Sequence, residues 1–100
     1  MRMMVTIHEG HWAPVSAGEY DRRTGTISIN IAVVDQVHVR FGHERAAVIA
    51  AIAAHERAHL LSRMDASPHD EERRARDAAI AASGADVVAH IDDVLAAAWG

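Results

Sequence analysis

Between His43 and Arg63 the chain runs for twenty-one residues without glycine or proline, and alanine, valine, isoleucine and leucine make up most of them. A stretch so rich in alanine and so long reads as a helix, and the remainder of the chain has to cover it. With His55 set at zero on the helical wheel, Val48, Ile52, His59, Ile49 and Leu60 spread over an arc of about 140°. Ala46, Ala50, Ala53 and Arg57 take the opposite, small-residue side. Within this run His55-Glu56-Arg57-Ala58-His59 spells H-E-x-x-H. Residues four apart on a helix are neighbours on one face, so both imidazoles can reach one metal ion. Glu56 lies about 100° round from His55, beside any water that such an ion activates. The motif borders the heaviest apolar stripe of the helix, where ionisable groups are costly unless something compensates them. Arg57 points about 200° away from His55, toward the alanine side and solvent.

One hundred residues make a single domain, 1–100, with room for one modest core. Aromatic residues are only 4% of the chain, so that core is built from Ala, Val, Ile and Leu, and a bound metal would be a useful additional tie. The absence of cysteine excludes disulfides and thiolate ligands, leaving histidine and carboxylate for any metal. A net charge of −4 with acids and bases interspersed gives no nucleic-acid footprint. The longest apolar stretch, Ala46 to Ala54, is nine residues and too short to span a bilayer, and the N-terminus lacks the apolar run of a signal peptide. The expectation is a cytoplasmic protein that binds neither nucleic acid nor membrane.

Ahead of the long helix, residues 2–8 mix β-branched and apolar types and read as a first strand. A loop follows, carrying His8 and His11, which are more simply loop histidines of a histidine-rich chain than ligands. Glu19–Asp21 and Thr26–Ile31 flank Arg22-Arg23-Thr24-Gly25 and read as a β-hairpin, Gly25 supplying the positive φ of its turn. Ile27, Ile29 and Ile31 alternate with Ser28 and Asn30, so this strand has one buried face. Residues 32–41 suit a strand or a short helix equally, and Gly42 ends them. After the long helix, Ser67 as N-cap, Pro68 at the first helical position and Asp70 behind them announce a second helix, running to about Ser83 and stopped by Gly84. Asp86 caps a third, Val87–Trp99, with Val87, Val88, Ile91, Val94, Leu95 and Ala98 on its apolar face. The fold expected is α+β: a small antiparallel hairpin sheet of two or three strands on the motif helix, followed by two more helices.

Zinc takes a third protein ligand and keeps one position open for water in a catalytic site. Glu72, Glu71, Asp65 and His69 are the candidates downstream. Acids in a helix's first turn are also favoured by the helix dipole, whatever else they do. Helices joined by a short turn pack antiparallel, which brings the Glu72 carboxylate back across the His55/His59 face. Together, the strand Ile27-Ser28-Ile29-Asn30, the motif His55-Glu56-x-x-His59 and the later helix with Glu72-Arg73-Arg74-Ala75 resemble a stripped-down gluzincin, over roughly residues 19–82. That clan of zinc metallopeptidases takes its third ligand from a "glutamate helix", often E-x-x-A-D. The resemblance implies zinc on His55, His59 and Glu72, Glu56 as general base, and a peptide or protein substrate along the Ile27–Ile31 strand. The chain departs from the pattern at Arg57 inside the motif and at Arg76 where an acid often follows the alanine, with Asp77 one further on as a candidate to orient a histidine. Tyr20, His69 and His43 are candidates for a transition-state donor. A metzincin-like pattern with Asp65 as third ligand also fits the spacing, although Ser62 stands where that family has glycine. The rival class is non-catalytic: a zinc-stabilised or metal-free module binding a partner protein. A latent peptidase whose C-terminal segment covers the site would look the same in sequence, and the apolar C-terminal helix, with Trp99 near its end, suits a dimer contact.

Overall fold

The computed structural model describes residues 4–62 and 67–99. Three strands come first, β1 (Thr6–Gly10), β2 (Gly18–Asp21) and β3 (Thr26–Asn30), then four helices, α1 (Ile31–Phe41), α2 (Arg45–Leu60), α3 (Pro68–Ser83) and α4 (Ala85–Trp99). The architecture is α+β. The strand order is β1-β3-β2. β2 and β3 form the antiparallel hairpin, with Gly25 at φ 69° donating its N–H to Asp21 O at 2.9 Å. β1 joins β3 in parallel, so the sheet is mixed and β3 is its central strand. That placement overturns one expectation. A strand paired on both sides has no free backbone groups to offer a peptide, so the Ile27–Ile31 segment cannot take substrate along its edge. The free edge of the hairpin is β2.

Ile27 and Ile29 point inward and are fully buried, as their alternation requires. The strand stops one residue earlier than its pattern suggests because Asn30, fully buried, turns the chain directly into α1. Its Oδ1 accepts from Ala32 N at 3.1 Å, capping the helix, while Nδ2 donates to Ser16 O at 2.9 Å and to Ala13 O at 3.3 Å. Residues 32–41 are therefore helical, with Val33, Val34 and Val37 buried on one face, and Gly42 in the left-handed region closes the helix. The same Asn30 pins the loop before β2 against the sheet.

α2 and α3 pack antiparallel. Glu71 and Glu72 at the start of α3 meet His55 and His59 near the end of α2, while Ser83 Oγ at the end of α3 donates to Ala47 O at 2.6 Å. Alanines 75 and 79, both buried, let the two helices approach closely. Ser67 caps α3 as expected, its Oγ accepting from Asp70 N at 3.1 Å, and Pro68 is its first residue. α4 begins at Ala85 instead of after an Asp86 cap. Gly84 closes α3 through its N–H to Ile80 O at 2.7 Å and its own carbonyl accepts from Val88 N, so one glycine serves both helix ends. Val87, Val88, Ile91 and Val94 of α4 complete the core, which turns that apolar face inward; Ala98 and Trp99 are exposed. Among the described residues no helix is long and apolar enough to cross a membrane.

Candidate metal centre

The buried residues of α2 include Val48, Ile52, Glu56 and Leu60, a row at four-residue spacing along one ridge. Glu56 is thus built into the apolar stripe, with 8% of its surface exposed. His55 and His59 flank it on the side that faces α3. The Glu72 carboxylate spans both rings, Oε1 lying 3.2 Å from His55 Nε2 and Oε2 2.9 Å from His59 Nε2. The two Nε2 atoms are 3.2 Å apart. Donors about 3.3 Å from one another are what a tetrahedral ion with bonds of about 2.0–2.2 Å requires. His55, His59 and Glu72 therefore form a group that can hold a metal ion.

Glu71, the other acid of the pair, lies behind this triangle. Its Oε1 is 2.9 Å from His59 Nδ1 and accepts from Arg22 Nη2 at 3.0 Å. A carboxylate on the far nitrogen fixes ring orientation and tautomer, leaving Nε2 free to ligate. The hydrogen bond from His59, with help from Arg22, holds the Glu71 carboxyl below its ordinary value. Asp77, the candidate for this place, is exposed on α3, and it is Glu71 that hydrogen-bonds the His59 ring. Burial lowers the His55 pKa, against the opposing pull of Glu72, and so favours the neutral imidazole that a metal needs. Burial, reinforced by the charges of Glu72 and Glu19 and opposed by His59, pushes Glu56 up to about 7.

Glu56 also lines two spaces. A cavity of about 280 Å³ lies between the loop at Val15–Gly18 and helices α2, α3 and α4, with Ile52, Val88, Ile91 and Leu95 in its apolar wall and His55, Glu56 and Glu72 among its polar lining. An open groove of about 410 Å³ is lined by Gly18, Glu19 and Tyr20 of β2 together with Glu56 and His59. Gly18 makes this arrangement possible. A Cβ there would lie 2.8 Å from Glu56 Cγ and 2.9 Å from Ile52 Cγ2, so only glycine lets β2 approach α2 this closely.

The other candidates separate. Tyr20 stacks on His59 with ring centroids 5.3 Å apart, facing the groove. His43 lies at the far end of α2, 2.6 Å from His90 through Nε2 and Nδ1. His69 is exposed at the start of α3, and His8 sits on β1 across the sheet from β2, with His11 in the loop after it. None of these four histidines joins the His55–His59–Glu72 group. Asp65 lies outside the described residues. Arg22, Gly18 and Asp92 gave no signal in the sequence, the last facing His55 from α4 and paired with Arg76 at 2.8 Å. Comparison with protein-family models, curated proteins and solved structures gave no match for this chain.

Proposed function

We propose that the protein is a zinc-dependent metallopeptidase, with His55, His59 and Glu72 as ligands and Glu56 as the general base. The observation that carries this reading is the convergence of three ligand atoms beside a buried carboxyl group that opens onto a groove. Two imidazoles and a carboxylate, with no thiolate, suit zinc in an open site. A zinc ion, when bound, supplies Lewis acidity to the attacking water and the scissile carbonyl. Glu56 does the proton work. It takes a proton from the attacking water and returns it to the departing amine nitrogen. The ring of Tyr20 borders the same groove, and its phenol is the donor we assign to the developing oxyanion. An extended peptide pairs with the free edge of β2, Gly18–Asp21, which runs past Glu56.

Elemental analysis and cleavage of a quenched peptide library test this. Wild-type protein is expected to hold about one zinc per chain and to cleave. His59→Ala loses both properties, while Glu56→Gln keeps zinc and loses cleavage. Zinc without cleavage in the wild type points instead to a non-catalytic, metal-stabilised binding module. A wild type that takes up no zinc sinks the metallopeptidase reading.

A further inference from the structure

We infer that Arg22, in the turn between β2 and β3, is a positioning residue of the metal centre: it holds Glu71 where that carboxylate orients the His59 ring. The inference rests on His55, His59 and Glu72 being the ligand set. One guanidinium nitrogen, Nη2, donates to Glu71 Oε1 at 3.0 Å and to the His59 carbonyl oxygen at 2.8 Å. The same Oε1 faces His59 Nδ1 at 2.9 Å. Arg22 thus grips both the backbone of the ligand and the group that aims its ring. It also lies over the Tyr20 ring, 5.3 Å from the centroid, and Tyr20 stacks on His59 with planes 5° apart. His59 is held at its edge by Glu71 and on its face by Tyr20, and Arg22 touches both supports.

The chemistry favours arginine for this task. His59 O belongs to the last turn of α2, where carbonyls have no partner within the helix, and Ser62 N at 3.2 Å supplies only part of the need. A planar guanidinium can hold a carbonyl and a carboxylate together while stacking on an aromatic face; a lysine ammonium cannot stack in this way. Arg22 and Glu71 side chains are 34% and 16% exposed, so water competes only in part. Arg22 lies 37 residues from His59 and 49 from Glu71 in the sequence, so this contact exists only when the hairpin is docked on α2 and α3.

A purely structural Arg22 would do no more than cap α2, and Glu71 separates the two roles. Zinc and cobalt affinities, measured by chelator competition, are compared for wild type, Arg22→Met, Arg22→Lys, Glu71→Gln and the Arg22→Met/Glu71→Gln double variant. Arg22→Met and Glu71→Gln are each expected to weaken metal binding by about 10- to 100-fold. The double variant should be little weaker than the worse single one, because both changes break the same link. Arg22→Lys should recover part of the loss, and the visible spectrum of the cobalt form should shift in both single variants. On metal-free protein, nuclear magnetic resonance should show a slowly exchanging His59 Nδ1–H in the wild type that is lost in Arg22→Met. Should Arg22→Met fail to fold, Arg22→Lys carries the comparison: it is expected to bind metal more weakly than wild type with a shifted cobalt spectrum, and wild-type affinity with an unchanged spectrum counts against the inference. A folded Arg22→Met with wild-type affinity, an unchanged cobalt spectrum and an intact Nδ1–H resonance overturns the inference. A wild type that binds neither metal removes the metallopeptidase reading instead, and the resonance alone then decides whether Arg22 orients the ring.

Discussion

Glu56 is the residue at which stability and chemistry pull in opposite directions. It occupies one place in the row Val48–Ile52–Glu56–Leu60 where a fourth aliphatic side chain would pack without penalty. Its carboxyl pKa is about 7 in the fold against 4.5 for the free group. A raised carboxyl pKa means that the folded state holds its proton where the unfolded chain has lost it. Below pH 4.5 both states are protonated and stability is whole; it falls as pH rises from 4.5 to about 7, and the full cost persists above that. Glu56→Gln removes the ionisation and keeps the shape. On metal-free protein, urea unfolding should show the variant more stable than wild type at pH 8, by up to about 3 kcal/mol, and nearly equal to it at pH 4. Equal stability at both pH values would mean that the carboxyl is not desolvated as the fold implies. The two histidines and Glu56 were legible in the sequence because helical spacing alone decides who shares a face. Antiparallel packing favoured Glu72 over Glu71 without settling it, since adjacent residues on α3 point about 100° apart and only the docking angle says which one meets the ligand atoms and which goes behind His59.

At the scale of elements, the helix α3 was readable down to its cap, because Ser67, Pro68 and Gly84 are local signals that act through the backbone beside them. α1 and the sheet were harder for the opposite reason. Val33, Val34 and Val37 fit either period, and what decides is Asn30, whose cap bond to Ala32 depends on the side chain being buried among loop carbonyls. The parallel addition of β1, which makes β3 central, is a long-range pairing with no local signature. β2 likewise owes its place to a close approach, and Gly18 is the residue to test it. Gly18→Ala puts a methyl group against Glu56 Cγ, which can move, and against Ile52 Cγ2 and the Ser28 carbonyl, which are packed. It should destabilise the fold by about 1–3 kcal/mol in denaturant titration. Peptide cleavage should drop because the base is pushed aside. Zinc affinity should stay within a few-fold of wild type, since neither His55, His59 nor Glu72 lies among the atoms that the methyl meets. Parallel loss of zinc affinity and cleavage would place the effect of Gly18 on the whole α2–β2 contact rather than on Glu56.

For the whole molecule the question is what holds the sheet and four helices together with so little aromatic material. Among the described residues the buried hydrophobic ones are alanines, valines, isoleucines and one leucine, without a single ring. Small aliphatic side chains bury less area each, and a domain of this size is already marginal. α2 and α3 are closed at one end by the bond from Ser83 to Ala47, and at the other by two histidines and two glutamates that cluster four ionisable groups. A dication there would join the helices and neutralise that cluster in one step. A ligand that binds only the folded chain stabilises it by about 2.7 kcal/mol at a free concentration one hundred times its dissociation constant. For a domain of this length that corresponds to a rise in melting temperature of about 10–20 °C. The melting temperature should therefore rise by that order between chelator-treated and zinc-saturated protein. His59→Ala should abolish the rise, while Glu56→Gln should keep it, because Glu56 touches the site without ligating. A wild-type melting curve indifferent to zinc would leave the α2–α3 seam held by packing, hydrogen bonds and ion pairs, and with it the catalytic reading would lose its ion.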